Sequence, residues 1–293
     1  MHPVTPNLQI NSRLLARLIS NAGFQKMISP SGVKTYSRQL RKVIESGGIS
    51  LPVDFTLSQL INLSYDHLQE GYRHEYIYKT KLLSDFILKK YSLDDTIILN
   101  EFRIGKSVAD MVLVNGTNKV FEIKTELDSP ERLKTQLNDY YKAFSEVYIV
   151  THHTLAAKYK SIVDERVGLI EFNGDYSLYT SRDAIIDQTR LDNLVMMKSL
   201  RKGEFLDIVK KINGQLPVTT QVKLYKECLN IVNDIDASVL QKYFLTSVKG
   251  RIRSEHKLVL NNDVPDYLKF FCYLVNFTEK QYLALPARLS CLV

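Results

Sequence analysis

Residues 107–140 hold two apolar runs and a helix-like stretch. Ser107-Val108-Ala109-Asp110-Met111-Val112-Leu113-Val114 is followed by Asn115-Gly116, then by Lys119-Val120-Phe121-Glu122-Ile123-Lys124-Thr125-Glu126, and later by Gln136-Leu137-Asn138-Asp139-Tyr140. Lys119 to Glu126 alternates as a strand does. Val120, Glu122, Lys124 and Glu126 share one face; Phe121, Ile123 and Thr125 share the other. Charges at three successive positions of one face are not buried without partners, so that face is expected to border a cleft, a metal ion or water. Ser107 to Val114 reads as a central strand, with Val108, Asp110, Val112 and Val114 on one side and Ala109, Met111 and Leu113 on the other. Asp110 is its one anomalous carboxylate. With the two strands as neighbours, Asp110 and Glu122 meet at one end of a sheet. Two hard oxygen donors then face a cation, and the Lys124 ammonium lies beside them.

The flanking sequence gives this pair a setting. Thr96 to Ile104 is strand-like, Gly105-Lys106 is a tight turn, and Asn115-Gly116 is a hairpin signal. Together they predict a three-stranded antiparallel meander. Ser129 is expected to cap the next helix with Pro130 at its first position, and Leu133, Leu137, Tyr140, Tyr141 and Phe144 form its apolar stripe. A strand over 147–151, a helix over 155–165 and a strand over 167–172 follow. Upstream, 72–91 is helical with Tyr76, Leu83 and Ile87 on one side. Glu75 lies in its first turn, four residues before Lys79, the spacing of a surface ion pair. The fold class is therefore α/β.

Residues 1–70 read as short helices: Leu14, Leu15, Leu18 and Ile19 form one stripe and Tyr36, Leu40 and Ile44 another. A turn is expected at Ser29-Pro30-Ser31-Gly32, and Thr56 is a helix cap before Leu57. The interspersed arginines allow a helix-turn-helix, but a helical cap packed on a core is the preferred reading. Residues 191–293 return to helical periodicity and end in an aromatic run, Tyr267 to Phe277, expected to pack. Three segments result: a helical extension over 1–70, a core over 71–185 and a helical basic region over 186–293.

This order and these residues resemble the PD-(D/E)XK nuclease superfamily, the restriction-endonuclease-like fold. That core is a helix, a three-strand meander, a helix and a further strand. Its signature is an Asp on the second strand and a (D/E)-x-K triplet on the third, matched here by Asp110 and Glu122-Ile123-Lys124. Ala109 stands where the signature has Pro, a position that varies in the superfamily, so the departure weakens the resemblance but not the chemistry. Gln136 and Tyr140 match the Q-x-x-x-Y element of the RecB-like branch, and Glu75 lies where many members carry an acid on the first helix. The chain is also similar to a bacterial group with this core and added helical ends. The resemblance covers about residues 72–180. It implies a Mg²⁺- or Mn²⁺-dependent nuclease, with DNA preferred over RNA as partner. Asp110, Glu122, the Ile123 carbonyl and Glu75 would serve the metal; Lys124 would act on the water or the developing charge, and Gln136 and Tyr140 on the phosphate or on Lys124. Two other readings compete: an inactive nucleic-acid-binding or regulatory protein on the same fold, and a toxin- or immunity-type partner-binding protein.

Charge is distributed to suit an anionic partner. The chain carries formally +7, with a pI near 9.1. Residues 1–70 hold 7 basic and 4 acidic side chains, 71–190 hold 17 and 18, and 191–293 hold 15 and 10. The flanks are basic and the middle is not. Lys249-Gly250-Arg251-Ile252-Arg253 is a basic segment, so Lys249, Arg251 and Arg253 are candidates for phosphate contact, at even odds with a solvated connector. Glu101 and Glu126 are secondary acids, and His74 beside Glu75 is a minor candidate. His152-His153 resembles a metal pair, but adjacent residues on an extended chain point apart. Cys228, Cys272 and Cys291 are scattered with no CxxC pair, so no zinc site or disulfide framework is expected. No Gly-rich phosphate loop is present. No signal-peptide pattern or membrane-length apolar run occurs, so a reducing cytoplasm and no membrane partner are expected.

Overall fold

Local capping sets the first helices. The structure, a computed structural model, describes residues 10–29, 31–260, 263–275 and 277–293. Helices α1 (Ser12–Leu18) and α2 (Asn21–Ile28) begin where Asn11 and Ser20 accept the N–H groups of Leu14 and Gly23. Leu14, expected on the apolar stripe, is exposed. The turn expected over 29–32 separates α2 from α3 (Gly32–Glu45), which buries Tyr36, Leu40 and Ile44; Pro30 lies outside the described residues. Helix α4 (Leu57–Gly71) opens on a capping box between Thr56 and Gln59. The helix expected over 72–91 is α5 (Glu75–Lys81), then a π-helical turn over Leu82–Ile87, then α6 (Leu88–Lys90). Tyr76, Leu83 and Ile87 are all buried.

Period-two sequence takes over at β1 (Ile97–Ile104), β2 (Ser107–Val114) and β3 (Asn118–Lys124). Both joints are antiparallel, which is the expected meander. Gly105 supplies the positive φ (60°) that the two-residue β1–β2 turn requires. The second turn differs from the Asn-Gly form. Neither Asn115 nor Gly116 has positive φ; the Asn115 side chain instead accepts the Thr117 N–H at 2.9 Å and closes a three-residue loop.

Helix α7 (Leu133–Tyr140) carries the chain over to β4 (Glu146–His152), which lies parallel to β3. It does not start at Ser129. The Leu133 N–H closes a turn on the Pro130 carbonyl, so the cap moves to Arg132. Helix α8 (His153–Ile162) leads to β5 (Gly168–Phe172), parallel to β4, and an unexpected β6 (Leu178–Arg182) pairs antiparallel beyond it. The result is a mixed sheet of 6 strands in the order β1 to β6.

Helices α9 (Asn193–Lys198), α10 (Lys202–Asn213), α11 (Gln221–Asn233) and α12 (Ala237–Lys249) follow. Their apolar stripes join one sheet face in a single core, including Val112, Val114, Val120, Ile149, Met197, Phe205, Cys228 and Phe244. After a 3₁₀ segment over Ser254–Leu260 come α13 (Asp266–Leu274) and α14 (Glu279–Leu289).

The chain divides into two compact units that do not follow the three expected segments. Tyr91–Arg253 form one; the residues up to Lys90 join Ser254–Val293 to form the other. Aromatic packing explains the discontinuous unit. Phe271 lies 5.5 Å from Phe24 and Phe270 lies 6.0 Å from Tyr76, centroid to centroid, and the Tyr76 hydroxyl donates to the Tyr267 carbonyl at 2.7 Å. The 72–91 helix therefore belongs with this helical unit, and 191–253 belongs with the sheet. All three cysteines are free. Among the described residues no helix is long and apolar enough to cross a membrane.

Candidate active site

The β2–β3 ladder ends early. Its last pair is Met111 opposite Phe121. Beyond it, β2 stays paired with β1 and β3 with β4, so the two strands diverge. At the mouth of this fork the Asp110 carboxylate replaces the missing backbone partner: its Oδ2 accepts the Ile123 N–H at 2.7 Å. A residue's N–H and C=O lie on the same edge of a strand, so the Ile123 carbonyl faces the same opening.

A second irregularity lies across from Asp110. Glu101 has φ 53°, and the 101–110 pair is skipped between Asn100–Met111 and Phe102–Ala109. Core membership shifts by one residue there. Val112 and Val114 are in the core with Ile97, but below the skip it is Ala109, Phe102 and Ile104. This corrects the simple alternation, since Val108 is left exposed and Asp110 half-buried.

Glu122 is the centre of the site and only 2% exposed. Its Oε1 accepts from Lys124 Nζ at 2.8 Å and from Gln136 Nε2 at 2.6 Å. Lys124 Nζ also donates to Gln136 Oε1 at 3.1 Å, closing a three-membered ring of bonds. The Tyr140 hydroxyl donates to Glu122 Oε2 and lies 3.0 Å from the Val108 carbonyl oxygen. Gln136 and Tyr140 reach one carboxylate because they stand one turn apart on α7. Burial, then the charge of Glu122 and its hydrogen bond, and then Asp110, hold the Tyr140 phenol well above its ordinary range, so it remains a donor. Asp110, Glu122, Lys124, Gln136 and Tyr140 are thus brought into one neighbourhood.

Two residues that carry no sequence signal place these groups. Buried Asp139 accepts from the Ser107 hydroxyl at 2.9 Å, the Lys106 N–H at 3.1 Å and Lys142 at 2.8 Å, fastening α7 to the β1–β2 turn. The Thr151 hydroxyl donates to the Lys124 carbonyl at 2.7 Å and fixes β4 against the end of β3.

Glu75 belongs to the helical unit, where it is half-exposed and pairs with Lys79. His74 holds the N-cap position of the same helix without a side-chain capping bond, and its ring Nε2 lies 2.8 Å from the Ile19 carbonyl oxygen. His152 and His153 do not point apart. The chain turns from β4 into α8 between them, and their ring centroids are 4.3 Å apart. Glu126, beyond the end of β3, lies 3.8 Å from His152. Arg251 is spent internally: its guanidinium makes two bonds to Glu204, at 2.7 and 2.6 Å, and lies 5.5 Å from the Phe102 ring. Lys249 is 3.9 Å from Asp95, and Arg253 is exposed.

Among the described residues no group of three His, Cys, Asp or Glu side chains gathers in a metal-holding cluster. The fork offers a smaller donor set of two carboxylates and one carbonyl, all hard oxygens. Mg²⁺ commonly takes one or two carboxylates and keeps several waters for substrate oxygens to replace, so this set fits such an ion. A cavity of about 460 Å³ lies against another side of α7, lined by Leu137, Tyr141, Val163 and Arg190 among others; none of the five fork residues lines it.

The family described as bacteriophage P4 protein cII matches residues 68–268. Protein cII of Enterobacteria phage P4 is 29% identical over 176 residues, which is 58% of this chain and 64% of that protein. The chain thus spans under two thirds of that relative's length. A solved structure, the SPO1766 protein of unknown function from Silicibacter pomeroyi, aligns over 43% of this chain and 78% of its own. Its identity is 15% and its TM-score 0.30, a likeness too slight to argue from.

Proposed function

We propose that this chain, which belongs to the bacteriophage P4 protein cII family, is a metal-dependent nuclease that hydrolyses phosphodiester bonds, in DNA ahead of RNA. The observation that carries this reading is the fork, where Asp110 caps the Ile123 amide while Lys124, Gln136 and Tyr140 all converge on buried Glu122. On this reading β1 to β4 with α7 form a restriction-endonuclease-like core. Family membership is compatible with it and does not argue for it.

Each residue then has a task. Asp110, Glu122 and the Ile123 carbonyl would hold Mg²⁺ or Mn²⁺, which when bound supplies positive charge for the phosphate and lowers the pKa of water. Lys124 is salt-bridged to Glu122, and two of its three N–H donors are used. On this reading the third donates to a phosphoryl oxygen as negative charge builds there. Gln136 and Tyr140 keep Glu122 aimed, so little reorganisation accompanies the reaction. Asp139 keeps α7 at the distance that lets them do so. The remaining basic surface supplies substrate affinity. A reducing cytoplasm suits the free cysteines.

One observation favours a second reading, a nucleic-acid-binding or regulatory protein without turnover: protein donors already occupy both oxygens of Glu122. Incubating the full chain with linear, circular and single-stranded DNA and with RNA, under Mg²⁺, Mn²⁺ or chelator, separates the two. Metal-dependent cleavage supports the nuclease. Binding to any of these without cleavage under either metal supports the second reading.

A further inference from the structure

Helices α9, α10 and α11 of the sheet unit enclose an open groove of about 390 Å³. Its floor is apolar, formed by Leu200, Phe205, Leu206, Leu224 and Tyr225, with Phe205 and Tyr225 rings 5.0 Å apart. Tyr225, which lines it, is 48% exposed, and two valines close to it in sequence are more so, Val222 at 92% and Val218 at 97%. Val222 stands one turn from Tyr225 on α11, and Val218 lies just ahead of that helix. Single exposed apolar residues are ordinary; a cluster bordering an apolar groove marks an interaction surface. Aromatic floors of this kind supply the anchoring contacts of protein interfaces.

The rim selects the partner. The charged residues lining the groove are Lys198 and Lys202. Both are exposed, and neither is in an ion pair among the described residues. No acidic side chain lines the groove, so its field favours carboxylates. A second copy docking by the same face would set lysine against lysine on a chain already at +7. Nucleic acid would satisfy the lysines but leave Val218, Val222 and Leu206 against phosphate and water. The walls are helices, with no strand edge to pair a backbone. An occupant must therefore satisfy its own N–H and C=O groups, as a helix does.

We propose that this groove docks an acidic amphipathic helix of a partner protein. Its apolar stripe would cover Leu206, Leu224 and Tyr225, and its carboxylates would meet Lys198 and Lys202.

The test uses the full chain and a fluorescent amphipathic peptide with Leu and Phe at positions i, i+3, i+4 and i+7 and Glu elsewhere. A twin carries Lys for every Glu. Fluorescence anisotropy measures binding, and circular dichroism confirms that each variant is folded. The acidic peptide is expected to bind saturably and the basic twin at least about tenfold more weakly. Val218→Asp with Val222→Asp, both at highly exposed positions, should weaken binding by about tenfold or more, as should Lys198→Glu with Lys202→Glu. Absence of saturable binding overturns the proposal, as does equal binding of the twin or indifference to both double variants. Loss of DNA binding in Lys198→Glu/Lys202→Glu, without peptide binding by the wild type, would assign the face to nucleic acid. Loss of self-association in Val218→Asp/Val222→Asp, again without peptide binding, would assign it to a second copy.

Discussion

Among the described residues, replacing Lys124 with Met removes the ammonium paired with a carboxylate that is almost wholly buried. The Lys124 and Glu122 side chains are 8% and 2% exposed and 2.8 Å apart. Removing one partner of such a pair costs about 3–5 kcal/mol, because the other charge remains buried and underpaired. Gln136 and Tyr140 still donate to Glu122, which puts the expected loss at the lower end, about 3 kcal/mol. For a sheet unit of this size that is a fall in Tm of roughly 6–12 °C. A nuclease that uses Lys124 only in the reaction would show no such fall, so lost cleavage in this variant alone would mix two effects. The remedy is a cycle with Glu122→Gln, which removes the buried charge and keeps the shape. Lys124→Met should cost about 3 kcal/mol in the wild-type background and under about 1 kcal/mol beside Glu122→Gln, a coupling above about 2 kcal/mol. Urea unfolding of the four proteins, followed by circular dichroism, measures it. A coupling below about 0.5 kcal/mol would mean that Lys124 does not neutralise Glu122, and the bonded ring described above would be wrong.

Three further outcomes are expected. Glu101→Gly should raise stability by up to about 1 kcal/mol because it relieves a positive φ, whereas Arg103→Gly in the same strand should lower it by a similar amount; equal losses in urea unfolding would remove the strain. Asp139 is raised by burial but lowered more by hydrogen bonds from Lys142, Ser107 and the Lys106 amide, leaving its carboxyl below the ordinary range. Its contribution is therefore complete above the unfolded carboxylate pKa near 4 and lost as pH falls through the lower folded value, so Asp139→Asn should flatten the acid limb of the stability–pH curve. Arg251→Met should destabilise the fold by about 1–3 kcal/mol through stranded Glu204 and leave the salt dependence of nucleic-acid binding unchanged; a flatter salt slope would return Arg251 to the phosphate-contact role first read from the sequence.

Local pattern carried the meander, the shared face of Val120, Glu122 and Lys124, and the spacing that lets Gln136 and Tyr140 reach one point. These depend on strand and helix periods alone. What escaped depends on contacts distant in sequence. Strand β6 is an edge strand of polar and half-exposed residues, so no apolar run announces it. The return of α13 and α14 to the N-terminal helices is invisible in a linear division of the chain. Arg251 reads as surface charge until Glu204, 47 residues earlier, is folded against it. The skipped pair opposite Asp110 coincides with the positive φ of Glu101, which nothing in composition marks. The cap of α7 moved because a turn on the Pro130 carbonyl formed ahead of the helix.

Asp110→Asn bears on the proposed chemistry with the least disturbance of the fold. An asparagine oxygen can still accept the Ile123 N–H that Asp110 accepts at 2.7 Å, while the charge that would attract a cation is gone. Cleavage of DNA by wild type and variant is compared under Mg²⁺ and Mn²⁺, with melting temperatures recorded on the same samples. Wild type should cleave only with metal, and the variant should melt within a few degrees of it (about 1 kcal/mol or less) and not cleave. Cleavage by the variant at the wild-type rate, or no cleavage by the wild type under either metal, would leave the fork without the role given to it.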